Sequence, residues 1–251
     1  MVRPKKKLTK KRGLKIMPKL VWDQTGERLY ETGTDHGVVY PISKDFKYPK
    51  GYAWVGLTAV TESPSGAEAN PIWADNIKYV TLRSVEEFGF TIEAYTYPDG
   101  WHECDGCTEP IKGVTIGQQK RKAFGFSYRS KIGNDTELDS HGYKLHLIYN
   151  ATASPSERAF ATMNDNPDAI TFSWECSSTP VPVTFKDANG DELNPVANIT
   201  IDSTAVDAAK LRSLEDILYG TADAEASLPL PDEVFKLFNG DSTPIIPSSG
   251  S

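Results

Sequence analysis

Long apolar runs are missing first of all. Nowhere in the 251 residues do about 18 consecutive apolar side chains occur, so no membrane-spanning helix is expected. Cysteine is scarce: Cys104, Cys107 and Cys176 are an odd set that cannot make up a disulfide framework. The basic N-terminus has no apolar h-region of a secretory signal, so the thiols point to a reducing cytosol. Histidine is nearly as scarce, with His36, His102, His141 and His146 scattered along the chain. No GxSxG, GxxxxGK[ST], HExxH or GxGxxG is present, and an enzyme is not expected. Cys104-x-x-Cys107 beside His102 would be half of a zinc site, but no second half follows. A redox CxxC belongs near a βαβ pattern that this chain lacks. The two thiols therefore read as surface-loop residues, and no metal or cofactor is expected. Glu86-Glu87 reads as a solvated turn, because neighbours on a strand point to opposite faces.

Charge is distributed unevenly. Residues 1–15 hold eight bases and no acid, which leaves 19 of the 27 bases against all 34 acids, a net of −15 for the remainder. Residues 1–16 are expected to form a disordered basic extension. Such an arm would touch nucleic acid or an acidic neighbour, or simply stay free. The acidic body cannot neutralise phosphates and is a poor nucleic-acid binder.

The pattern that remains is extended chain. Leu57–Glu62, Ile77–Leu82 and Phe90–Tyr97 each alternate polar and apolar side chains and are rich in β-branched and aromatic residues, as two-faced antiparallel strands require. Further strands are predicted over Lys122–Arg129, Tyr143–Ala153 and Ala169–Ser177, with another at Ser156–Thr162 and a turn at Asn164–Pro167. Val181–Phe185 and Ala197–Asp202 flank Asn189-Gly190 as a hairpin. The turn-dense Leu20–Lys50 leaves room only for short strands such as Gly37–Ile42. It would serve as an arm laid over a neighbouring subunit or as a loop packed on its own sheet. Ser63–Asp75 is read as a second irregular segment at an interface.

One helix is predicted, capped by Thr204 with Asp207 three residues on and stopped by Gly220. Leu211, Leu214 and Leu218 lie on its apolar stripe and should pack it on the sheet. Beyond it, 221–251 reads as a C-terminal tail, partly disordered or docked on the surface, with one weak amphipathic turn over Asp232–Phe238.

Taken in order, VWDQTGERLYETGTDHGVVYP, GLTAVTESPSGAEANPIWADNIKYV, EEFGFTIEAYTYPDG, GYKLHLIYNATASPSER, AITFSWE and TIDSTAVDAAKLRSLEDILYG resemble the major tail protein of long-tailed siphophages. The resemblance covers about residues 18–220. It implies a tail tube domain over 17–220: a mainly β, antiparallel β-sandwich or barrel with one flanking α-helix. It further implies six copies to a ring and rings stacked into a conduit for DNA. Tape measure and tail completion proteins would be its partners, and a virion tail built from subunits made in the host bacterial cytoplasm its place. No catalysis and no cofactor are implied. The basic extension and the two cysteines depart from the family's pattern. A conduit lined with bases would hold the genome back, so acids on regular strands are the expected lumen residues: Glu93 and Glu175 foremost, with Glu62 and Glu87 at strand ends. A competing reading from another class is a β-sandwich carbohydrate-binding or adhesin module, with Trp22, Trp54, Trp73, Trp101 and Trp174 as sugar-stacking candidates.

Overall fold

The computed structural model describes residues 20–162, 169–187 and 189–240. The chain is mainly β. One curled antiparallel sheet runs in the order β2 (Tyr52–Ala53), β1 (Tyr30–Pro41), β10 (Phe124–Asn134), β11 (Leu138–Ala153), β12 (Phe172–Ser178), β7 (Glu86–Ala94) and β3 (Leu57–Glu62). β13 (Asn198–Asp202) also pairs with β11, and the two-residue β4 (Ser65–Gly66) with β7. Two hairpins stand apart from this sheet: β5 (Ala69–Ala74) with β6 (Ile77–Arg83), and β8 (Thr108–Ile111) with β9 (Val114–Ile116).

Alternation along β7 and β10–β12 divides the core in two. Phe90, Ile92, Phe124, Phe126, Ile148 and Trp174 point inside the curl. Leu145, Leu147 and Tyr149, on the opposite face of β11, meet the helices α1 (Ala208–Tyr219) and α2 (Pro231–Asn239). The curl brings the ends of the strand path together at Gly37, where a Cβ would lie 2.9 Å from the Leu57 side chain. A glycine at this point leaves room for the Leu57 and Trp54 side chains.

Several expectations are corrected. β1 is twelve residues long, not a short strand, because β10 offers it a partner from Gly133 to Phe124; local turn residues did not outweigh that ladder. Ser63–Asp75 is not irregular: from Ala69 it supplies one strand of the β5–β6 hairpin. Ile77–Leu82 therefore pairs with β5 and stays out of the main sheet. Phe90–Tyr97 begins earlier, at Glu86, and stops at Ala94, so Glu86 and Glu87 belong to a strand and not a turn. Ser156–Thr162 contains no strand. The Asn189-Gly190 hairpin survives only as isolated bridges, Val181 to Val196 and Lys186 to Glu192, because β13 has been taken up by β11.

At the helix the N-cap is Asp207, whose carboxylate accepts from the Ala209 and Lys210 amides at 3.0 Å. Thr204 instead donates its hydroxyl to Asp202. Leu211, Leu214 and Leu218 are buried against the sheet. A second helix, α2, replaces the expected weak turn. Its Val234, with Leu228, enters the same core, and Lys210 Nζ donates to the Phe238 carbonyl at 2.8 Å. Residues 221–240 are thus packed on α1 and the sheet. The basic extension 1–16, the turn Asn164–Pro167 and residues 241–251 lie outside the described residues.

Candidate functional site

The surfaces to weigh are the acid-bearing strands, the curl's open end, the cysteine loop and the free-standing hairpins. On β7 the side chains of Phe88, Phe90, Ile92 and Ala94 are buried, so Glu87, Thr91 and Glu93 point outward. β12 pairs Glu175 with Thr91 and Ser173 with Glu93, and β3 pairs Ala59 with Glu93 and Thr61 with Thr91. Directly paired residues of antiparallel strands share a face. The outer wall of β3–β7–β12 therefore consists of Ala59, Thr61, Glu87, Gly89, Thr91, Glu93, Ser173, Glu175 and Ser177. It is small, polar and acidic, without a lysine or an arginine.

Glu62 departs from this set. It pairs with Phe90 and so faces the inside of the curl, where the Tyr128 hydroxyl donates to its Oε1 at 2.8 Å. His146 lies flat on the Tyr128 ring, with centroids 4.4 Å apart, and its Nδ1 is 3.6 Å from Glu62 Oε1. On the other side of that imidazole, Nε2 is 2.9 Å from Ser130 Oγ. Contact with His146 lowers the Glu62 pKa most and the Tyr128 bond adds to it, against a partial burial that raises it. Burial and the neighbouring carboxylate push the Tyr128 phenol up. Lys144 pairs with Glu31 nearby. This polar group joins β3, β10 and β11 through side chains alone. Sequence reading left the histidines without partners, since Glu62, Ser130 and His146 come from three separate strands.

The Ser–His–Glu order has the outline of a hydrolase triad. However, 3.6 Å is beyond hydrogen-bond reach, and the backbone on either side of Ser130 is bound into the β10–β11 ladder. A second polar cleft, of about 610 Å³, lies between α1 and β10–β11. Its Arg129 is held by Asp35 at 3.0 Å and Glu215 at 3.6 Å, with its guanidinium 4.6 Å from the Tyr143 ring. Lys131 is likewise paired with Asp139 in this cleft.

The cysteine loop is not a surface loop throughout. Trp101 and Cys104 are fully buried, and burial pushes the Cys104 thiol up to about 12. A Cβ on Gly100 would sit 2.3 Å from the Tyr52 ring, so the glycine lets the loop fold down onto the core. Asp105, also buried, holds it there through Arg121 and Arg158. Cys107 is half-buried. Among the described residues no three His, Cys, Asp or Glu side chains converge as metal ligands.

No family model matches the chain, and no curated protein does either.

The free-standing hairpins carry the large apolar exposure. On one face of β5–β6 stand Ile72, Ile77, Val80 and Leu82, and on the other Trp73 lies beside Lys78. Trp73 is 65% and Tyr79 73% exposed. Ile111, Val114 and Ile116 are exposed on β8–β9, as are Leu20, Val21, Trp22 and Leu29 on the segment before β1. Among the tryptophans, Trp54, Trp101 and Trp174 are packed together inside the curl, which removes them as sugar platforms; only Trp22 and Trp73 remain available.

Proposed function

We propose that the chain is a structural subunit that polymerises into a phage tail tube, as stacked hexameric rings forming the conduit for DNA ejection. The observation that carries this reading is the outer wall of β3–β7–β12, whose side chains are all small, polar or acidic. Double-stranded DNA presents about one negative charge per 1.7 Å, so such a wall lets it slide past without capture. Glu93, Glu175 and Glu87 are the lumen residues in this reading, and Glu62 is not one of them.

Two further features support it. β3 pairs on one side only, and β1 from Tyr30 to Asp35 has β10 alone as partner. Unpaired strand edges invite pairing with another chain. A two-stranded hairpin such as β5–β6 is marginal alone in water, and its exposed apolar side chains find no cover among the described residues. Pairing of edges between subunits closes a ring, and a head-to-tail contact between rings extends it. Tape measure and tail completion proteins would join at the lumen and the ends, in the virion tail, from subunits made in the host bacterial cytoplasm. No membrane partner is proposed, and no described helix is long and apolar enough to cross one.

Negative-stain microscopy of the purified chain over a concentration series is the direct test. Rings or rods are expected; isolated particles at every concentration would refute the reading and favour a binding module.

A further inference from the structure

A groove of about 600 Å³ opens beside the base of the β5–β6 hairpin, lined by Val85, Phe88, Pro180, Pro195 and Val196, with Glu86 at its side. Its wall is mostly apolar, yet Val85 is 82% exposed, and among the described residues Glu86 has no ion-pair partner. At the far end of the hairpin, Trp73 and Lys78 are paired across the strands, and Ala74 with Ile77 follows before the turn. Trp73 and Ile77 are exposed, and Lys78 likewise has no ion-pair partner among the described residues. The groove thus holds an apolar trough with one free anion, and the hairpin end holds two large apolar side chains with one free cation.

We propose that the hairpin end of one copy seats in this groove of a second copy, with Trp73 and Ile77 against Val85, Phe88 and the prolines, and Lys78 beside Glu86. The inference rests on the self-assembly reading and adds which two surfaces meet. The occupant is a second copy because the hairpin cannot reach its own groove. Trp73 lies four strand residues from Ala69 and Lys78 five from Arg83, a span of roughly 13–17 Å from the hairpin's base at about 3.3 Å per residue, while Val85 and Glu86 follow just after that base. Charge complementarity selects the partner: Glu86 supplies a carboxylate for Lys78 directly beside the apolar wall that takes Trp73. The contact is heterologous, since the hairpin end and the groove are different surfaces of one subunit. Each copy therefore keeps a free hairpin and a free groove, and the contact propagates.

Intermolecular disulfide trapping tests the inference. One pool carries Ala74→Cys, beside Trp73, and another Asn194→Cys, on the rim of the groove; both carry Cys107→Ser, which leaves only the buried Cys104 and Cys176. Both substitutions leave Trp73, Lys78 and Glu86 in place. On mixing under mild oxidant, a disulfide species of twice the subunit mass should form between the pools and in neither alone. Assembly of the unsubstituted chain is read in parallel. If it assembles and the mixed pools give no cross-link, the hairpin-to-groove contact is wrong while the self-assembly reading stands; if it stays monomeric at every concentration, both fail. Trp73→Ala should raise the concentration needed for assembly at least about tenfold, as expected for a central aromatic anchor. Lys78→Glu should weaken assembly, and combining it with Glu86→Lys should restore it. Without that rescue, the ion pair is not part of the contact.

Discussion

Single side chains at the open end of the curl link three strands that are far apart in the chain. Glu62 on β3 receives the Tyr128 hydroxyl from β10 at 2.8 Å and faces His146 on β11 at 3.6 Å. Its pKa is lowered in the folded chain from an ordinary 4.5. The folded state thus binds the proton less well than the unfolded chain does, and ionised Glu62 stabilises the fold at pH values above the ordinary carboxylate range. That stability is lost as pH falls through the depressed folded value. Glu62→Gln keeps an acceptor for Tyr128 but cannot titrate. Thermal unfolding scans from pH 6 to pH 3 should show a shallower loss of Tm for Glu62→Gln than for the unsubstituted chain; parallel curves would remove Glu62 from the pH response. At the helical face, Leu214 is fully buried between α1 and β11. Leu214→Ala should cost about 2–5 kcal/mol, as truncation of a buried leucine does, and an unchanged denaturation midpoint would show that α1 does not rest on it.

At the level of elements, the segment before β1 and the β5–β6 hairpin contribute little to the fold of their own subunit. Residues 20–29 are tacked to the β10–β11 turn, with the Gly26 amide donating to Asp135 at 2.9 Å and Asn134 donating to the Gly26 carbonyl at 3.2 Å. Leu20, Trp22 and Leu29 are exposed. A deletion reaching Asp35 would remove half of β1 from its ladder with β10. A deletion of 20–29 spares that ladder and should leave a folded subunit with its near-ultraviolet tryptophan signal intact and its assembly impaired. Tubes of normal length from this deletion would show that the segment is not an intersubunit contact. The physical basis is the same for both elements: their apolar side chains are exposed among the described residues, so in the proposed assembly their contribution would come from contacts between subunits.

The described residues carry an acidic wall, a helical side and exposed apolar hairpins, and in the proposed tube that asymmetry would act as a whole. In the proposed ring Glu93 and Glu175 face the DNA, and reversing them adds attraction to each passing phosphate. Glu93→Lys with Glu175→Lys should slow DNA ejection from reconstituted particles at low salt more than at high salt, because mobile ions screen exposed charges within about 10 Å at 0.1 M. Equal rates at all salt concentrations would place the wall away from the DNA path. Neither position is buried, so the tube itself should still form.

Period-two alternation and turn chemistry made β3, β10, β11 and β12 legible, and helical spacing identified Leu211, Leu214 and Leu218, because each of these signals depends on neighbours a few residues apart. The alternation of β7 and β12 likewise separated Glu93 and Glu175 from the core. What pairs with what was decided by the tertiary structure. β1 became long because β10 was beside it, β13 left its hairpin for β11, and Cys104 was buried because Trp101 drew its loop into the core. Glu62 stood with Glu87 as a strand-end candidate for the same wall, yet the β3–β7 register turned it inward against Tyr128. A shift of one residue in strand register exchanges the two faces of a sheet, and register is set by partners that are remote in sequence.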